Sequence, residues 1–567
     1  MKKIYIILIT SFLSTTCADT HNKIATFYYP RSLAQDAARD LAGWMNYINR
    51  DNNGSSVYGA LSITPEYNRS FSGEKMARDL FGDNLSSNKC EQLTISGSQV
   101  ANRGPRDLLA DYFYLPSDFQ STVSFSPVID NFLVDIGWYL GLDAWREGVY
   151  FWLHAPLIHT HWDLNIRENV INPGANSYPA GLFVPDVLTR GELLTQFTEF
   201  VQGVAIADED DISFQELKNA KMSGDRLVKT RLGEIRTAIG WSFIRPDYHA
   251  GFNGQIAAPT GLRPKGEFLF EPMVGNAHYW ELGFGVNGHY TFWNNEEDTR
   301  RYSLYVDINV AHLFKTNQTR TFDLQNKPLS RYMLAMEMTS PAVNLLGGGT
   351  APSAQFNNDY LPVANFSTLK CNVSIAVQAD IVLMANLTAG NSSFDLGYNF
   401  WGHTRENVSV RAVESIDANR YALKGTGQLF GFVQGTTNSV ALSATESGAT
   451  IYAGTTTIDL PQPATTNPVV GPAATLQVAP NSIAQQINTS NPLIFIKQSD
   501  LAICGSGCRG LSSKLFAHAC YTWNDTKDWH PYIGVGGSAE WAHNSNDDLS
   551  CGASQWSLWL KSGVTFD

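Results

Sequence analysis

The densest run of ionisable side chains is Asp208-Glu209-Asp210-Asp211. Glu234 and Arg236 follow it, on the polar side of a stretch whose alternate residues are Ile235, Ile239, Trp241 and Phe243. Carboxylates on an infolded loop opposite a guanidinium set a transverse field across a water-filled passage, and such a field sorts solutes by size and charge. The same run also suits a solvated acidic loop. His159, His161 and Asp163 lie at i, i+2 and i+4, so on one strand face they point three metal-ligating side chains the same way. The surrounding chain shows hairpins and no parallel strands to bring further ligands, so a polar strand end near an interface accounts for the trio better. Cys504 and Cys508 would close a small loop or form half of a metal site, but no second His or Cys pair stands at zinc spacing beside them. Gly347-Gly348-Gly349 lacks a following Lys-Ser/Thr, so it is no P-loop, and a G-x-S-x-G nucleophile elbow is missing. No catalytic residue, cofactor or metal is assigned.

The elements that position these groups announce themselves by alternation. From Trp280, the large apolar residues Leu282, Phe284, Val286, Tyr290 and Phe292 recur at even spacing, with Glu281, Gly283, Gly285, Asn287, His289 and Thr291 between them. After a polar turn the pattern returns as Tyr302, Leu304, Val306, Ile308, Val310 and Phe314. A period of two assigns one set to each face of a strand. Twelve residues at ~3.3 Å, tilted by ~45°, rise about 28 Å, close to the ~25 Å apolar band of a membrane barrel. Trp280, Phe292, Tyr302 and Phe314 bracket that band as a candidate aromatic girdle. A second hairpin, about Ser124 to Arg167, puts Tyr150, Trp152 and Trp162 on one face at similar spacing, with His154 among them. Lipid contact would be costly for that histidine unless it is neutral or the face points the other way. Cys371 to Leu387 and Phe394 to His403 form a further pair about a tight Ala389-Gly390-Asn391 turn.

Lys2 and Lys3, the apolar run Ile4 to Leu13 and small residues near Thr16-Cys17-Ala18 read as a signal peptide over residues 1–18. Six cysteines remain after it (Cys90, Cys371, Cys504, Cys508, Cys520 and Cys551), as loop-stapling disulfides or free thiols. No later segment has the ~18 uninterrupted apolar residues of a helical span. With 40 basic and 53 acidic residues the formal charge is -13, which argues against a nucleic-acid partner. Ser32 can cap a short helix carrying Leu33, Ala37, Leu41 and Ile48 on one face, periplasmic or lumenal in a barrel. Residues 436–498 are rich in Thr, Ala, Pro, Asn and Ser and nearly free of charge, a long loop or insertion.

The last strand alternates Trp556, Leu558, Leu560, Val564 and Phe566 with Gln555, Ser557, Lys561, Gly563 and Thr565. Trp556 and Phe566 complete the candidate girdle. Lys561 to Phe566 is similar to the terminal signal of bacterial outer-membrane β-barrels, here followed by Asp567, and the style of strand resembles that porin-like superfamily along most of residues 19–567. The resemblance implies an all-β chain: an antiparallel transmembrane β-barrel of about 14 strands (range 12–16), with long surface loops and a few short helices. It further implies the bacterial outer membrane, contact with its lipid, and recognition of the last strand by the barrel-assembly machinery. The function expected is passive diffusion of small hydrophilic solutes or ions, with a weak cation preference, and a homo-oligomer is compatible. A structural or adhesive barrel, and a soluble exported glycan-binding protein or hydrolase, are the alternative classes.

Overall fold

A computed structural model describes residues 24–43, 58–85, 92–209, 211–245, 247–295, 299–338, 343–344, 350–351, 356–425, 429–433, 439–441, 448–454, 477–478, 495–503, 506–524, 528–543 and 552–566. Residues 1–18, expected to be a signal peptide, Cys90, Cys504, Cys551, the Gly347–Gly349 run and most of 436–498 lie outside these residues.

Twelve strands close a barrel: β1 (Tyr58–Ser70), β2 (Val128–Gly141), β3 in two pieces (Val149–His154 and Leu157–Asp163), β4 in two pieces (Leu227–Leu232 and Ile235–Arg245), β5 (Tyr248–Ala258), β6 (Glu281–Asn294), β7 (Arg300–Thr321), β8 (Thr368–Ala389), β9 (Ser392–His403), β10 (Gly510–Thr522), β11 (Trp529–Ala542) and β12 (Gln555–Phe566). Each is antiparallel to its neighbour in the chain, and β12 returns to β1 in a register running from Gly59↔Phe566 to Ser70↔Gln555. Closure leaves no unpaired edge to face lipid. Twelve lies within the expected range and two below the fourteen inferred, because several alternating stretches form separate sheets outside the wall. The breaks in β3 and β4 face each other: Pro156 has no N–H to give the ladder, and its carbonyl accepts from Gly233 N at 2.8 Å.

The outer face carries the apolar set read from the sequence, with Phe284 53 % and Leu396 66 % exposed. All six girdle candidates stand on it. Trp280 and Phe314 are neighbours at one end of the wall, where Phe314 N donates to Trp280 O at 2.9 Å, and Trp556 packs beside Tyr67 at the same end. Phe292 and Tyr302, with ring centroids 6.3 Å apart, and Phe566 beside Trp529 at 5.8 Å occupy the other end. A closed antiparallel barrel with an apolar outer face between two aromatic levels is the geometry of a transmembrane β-barrel. The second hairpin corrects the expectation: Tyr150 is buried in the lumen, where its hydroxyl accepts from Asn253 and Asn287, and Trp162 is buried with Phe270. The lipid side there belongs instead to Phe132, Ile136, Trp138 and Leu157. Val286 lies midway between the two aromatic levels, so Val286→Arg is expected to destabilise the barrel by ~2–4 kcal/mol while Val286→Leu is near neutral, measured by urea unfolding in vesicles.

The connections at one end are short (142–148, 246–247, 295–299, 390–391 and 523–528), and those at the other are long (71–127, 164–226, 259–280, 322–367, 404–509 and 543–554). The long ones build a head with its own core, in which Phe113, Tyr114, Phe183, Phe200, Phe214 and Tyr360 interlock. Two small sheets frame it, one of Gln92–Ser96, Leu108–Leu109, Gln120–Ser124 and Arg167–Asn172, the other including Leu334–Met338 and Phe356–Pro362.

Asp111 is buried in this head and accepts from Ser98 N at 2.9 Å and Ser98 Oγ at 2.7 Å. Burial nevertheless pushes its carboxyl up to about 6. A carboxyl raised on folding stabilises most below its unfolded value of ~3.9 and loses that contribution as pH rises through the folded value. The two-unit shift corresponds to about 3 kcal/mol. Hydrogen exchange in residues 92–124, corrected for intrinsic rate, should therefore show more protection near pH 4 than near pH 7, and Asp111→Asn should remove that dependence.

Candidate functional site in the barrel lumen

Among the described residues ahead of β1, 31–43 occupy the lumen. Residues 24–29 belong to the head, where Tyr28 packs on Trp162 and Phe270. Residues 31–43 then run inside the wall as a plug. Its helix α1 (Ala37–Leu41) begins where Asp36 Oδ1 accepts from Arg39 N at 3.4 Å, so Asp36 and not Ser32 is the cap. Lys561 of β12 donates to the carbonyls of Arg39, Asp40 and Ala42 at 2.7–3.0 Å, satisfying acceptors that a helix end leaves open. Gly43 follows with φ +75°, and a Cβ there would stand 3.1 Å from the His518 ring. Its N–H donates to Asp395 at 3.0 Å.

Charge dominates the plug's contacts. Arg31 pairs with Asp380 at 2.7 Å and Glu540 at 3.5 Å, Arg39 with Glu66 at 2.8 Å and Asp135 at 3.7 Å, and Asp36 with Lys514 at 2.7 Å. The apolar share is small: Ala37, Ala38, Leu41 and Ala42 touch Tyr305, Val382, Met384, Phe516 and Trp559. Between plug and wall remains a cavity of about 80 Å³ with a mixed lining that includes Asp40, His154, Asn253 and Lys561 beside Leu41 and Trp152. A space of that size holds a few waters.

Of the predicted constriction, Glu234 and Arg236 are luminal and adjacent to each other, with their charged ends 3.8 Å apart. Arg236 donates to Glu281 at 3.0 Å and Gln255 at 3.3 Å, and Glu234 accepts from Ser32 of the plug at 3.1 Å. Asp208, Glu209 and Asp211 lie in the head, held beside the short strand Ser213–Phe214: Asp208 accepts from Phe214 N at 3.3 Å, and Glu209 bridges Ile212 through the backbone. Asp210 is outside the described residues. The structure thus gives Arg236 a wall partner, Glu281, in place of the acidic run. His159, His161 and Asp163 lie on the outer side of β3 at the head end, with His159 bonded to Thr230 Oγ1 at 2.5 Å. Among the described residues the trio of metal-ligating types that does converge, within 4.8 Å, is Asp40, Asp135 and His154. His154 Nδ1 is 3.0 Å from Asp135, and Arg39 already supplies a cation to the same carboxylate.

Sequence reasoning missed the luminal partners of the plug. Their one local signal is a charge, such as Asp380 or Lys561, standing alone on the inward side of an alternating strand. Such a charge must be matched once the lumen is filled.

No protein-family model matches the chain, and no curated protein matches it. Among solved structures it is similar to an outer membrane channel from Pseudomonas putida F1, at 9 % identity and TM-score 0.29, over 91 % of this chain and 100 % of that one. A Pseudomonas aeruginosa FadL homologue matches at 7 % identity and TM-score 0.27 over 90 % of each chain. The TodX monoaromatic hydrocarbon channel matches at 7 % and 0.28, over 90 % of this chain and 89 % of that one. The chain's own geometry carries the fold.

Proposed function

We propose that this chain is a channel of the bacterial outer membrane, closed by residues 31–43 and passing small hydrophilic solutes, cations preferentially, when that plug leaves. One observation carries the reading: the plug is held in the lumen by exchanged charges and has little apolar adhesion. Wall carboxylates, among them Glu66, Asp135, Glu281, Asp380, Asp395 and Glu540, outnumber the wall cations Arg236, Lys514 and Lys561; Arg31 and Arg39 of the plug pair with four of those carboxylates, and Asp36 with Lys514. With the plug displaced, that wall attracts cations and repels anions. Its polarity argues against an apolar solute. The head faces outward and the short turns the periplasm, as in other outer-membrane barrels. The strand Gln555–Phe566 is offered to the assembly machinery.

The filled lumen and the large head also support a second reading, a structural or adhesive barrel. Planar-bilayer recording of the folded chain separates the two. Steps of conductance, rare in the closed state, with a reversal potential of cationic sign under a salt gradient support the channel. A barrel that inserts yet stays silent even with its plug charges reversed supports the structural reading.

A further inference from the structure

Arg31 donates from Nε to the carbonyl of Gln35 in its own segment at 3.0 Å and lies 3.8 Å from Asp36, while the two arms of its guanidinium reach into a pocket of barrel wall. Its Nη2 donates to Asp380 Oδ2 at 2.7 Å, and its Nη1 to Asn399 Oδ1 at 2.7 Å and, more weakly, to Glu540 Oε1 at 3.5 Å. The indole of Trp401 lies 5.8 Å from the guanidinium carbon. These four residues come from β8, β9 and β11 and are each no more than 2 % exposed. Two separate acceptors for the two arms of a planar fork, with an aromatic ring beside them, suit a guanidinium and not a compact ammonium.

Ala37 N of the plug also donates to Asp380 Oδ2, at 3.3 Å, but wall residues fix the pocket's acceptors as well. Asn399 Nδ2 donates to Asp380 Oδ1 at 2.5 Å and to the Ile381 carbonyl at 3.1 Å. Glu540 is fixed by Ser512, by Gln555 at 2.9 Å and by Lys514 at 3.4 Å. When Arg31 withdraws, the acceptors therefore stay in place, and a buried carboxylate left without its cation strongly favours a replacement.

We propose that the lumen wall carries a guanidinium-binding site, occupied in the closed barrel by Arg31, and that the solutes drawn through the open barrel are small guanidinium-bearing molecules such as free arginine. The site is assigned from the wall geometry; its use in transport rests on the channel reading.

The test uses the full chain carrying Arg31→Ala, which empties the pocket and keeps the head anchor and the Arg39 and Asp36 contacts. Methylguanidinium and methylammonium are titrated at equal ionic strength, with thermal midpoint and Trp fluorescence as readouts. Methylguanidinium should bind about tenfold more tightly than methylammonium, wild type with its pocket filled should respond to neither, and adding Asp380→Asn should abolish the response. Equal response to both cations, a wild-type response matching the variant, or indifference to Asp380→Asn would overturn the site. Should Arg31→Ala fail to fold, Arg31→Lys keeps the charge and is titrated the same way, methylguanidinium displacing the weaker lysine. Binding is read without current, so the two proposals fail separately. Specific binding with a silent barrel removes the channel and keeps the site. Conductance without guanidinium specificity removes the site and keeps the channel.

Discussion

The full chain carrying Arg31→Glu and Arg39→Glu conducts, where the wild-type chain is closed for most of a recording. Each substitution sets a carboxylate against the pair that held the arginine: Asp380 and Glu540 for residue 31, Glu66 and Asp135 for residue 39. Breaking a buried ion pair by losing one partner costs roughly 3–5 kcal/mol, and like charge adds to that. Asp36 lies 3.8 Å from Arg31 and caps the helix turn that carries Arg39, so the two costs are coupled and add only in part, to more than the roughly 3–5 kcal/mol of one pair. About 5.5 kcal/mol already takes an equilibrium from 1:99 to 99:1. The alanine-rich apolar contact of α1 is too small to hold the plug against such a change. The segment stays tethered through residues 24–29 in the head and through β1, so the fold of the wall is kept. Open-channel current should appear in most insertions, with the reversal potential of a cation-selective pore. A variant that folds, shows heat-modifiable mobility and remains silent would show that something other than the plug closes the barrel.

The second large effect lies where the head meets the wall. Arg320 donates from Nη1 and Nη2 to the two oxygens of Glu406, both at 2.7 Å, with Phe27 stacked 4.2 Å from its guanidinium carbon. Both residues are buried, and Glu406 also accepts from Tyr279 Oη at 3.1 Å and Cys508 N at 3.3 Å. Arg320→Met is expected to cost about 3–5 kcal/mol, because it strands a carboxylate that neither a tyrosine nor a backbone N–H can neutralise. Arg320→Met with Glu406→Gln should be milder, since no uncompensated charge remains. Limited proteolysis reads the difference: the single variant should lose the head to protease at temperatures where the double variant and wild type keep it, while the wall survives in all three. Equal sensitivity of single and double variants would show that packing on Phe27, and not the charge pair, holds the head.

The wall was legible because lipid and strand geometry leave so little choice. In β6 and β7 a period of two and aromatics twelve residues apart already specify a strand and its two faces, and Trp280, Phe292, Tyr302 and Phe314 stand on the outer face, although β7 continues beyond Phe314 to Thr321. In β3 the same periodicity was present but its sign was not. Tyr150, Trp152 and Trp162 are amphipathic enough for either side, and the choice fell to hydroxyl and imidazole partners, Asn253, Asn287 and Asp135, on other strands. His154 was the local hint, since its ring needs a partner that lipid cannot offer.

Local sequence alone therefore determined that this chain is a β-protein with membrane-width strands, because alternation and aromatic spacing are properties of neighbouring residues. What only the tertiary structure decided is everything held by charge. Asp208, Glu209 and Asp211 went to the head because Ser213–Phe214 joins a sheet there. The short helix near Ser32 became a plug because Arg31, Asp36 and Arg39 meet Asp380, Lys514 and Glu66, residues that barrel closure alone brings around them. A Coulomb contact carries no periodicity, and its two halves here lie up to 509 residues apart in the chain, so the closed lumen exists only once the wall has curled round on itself.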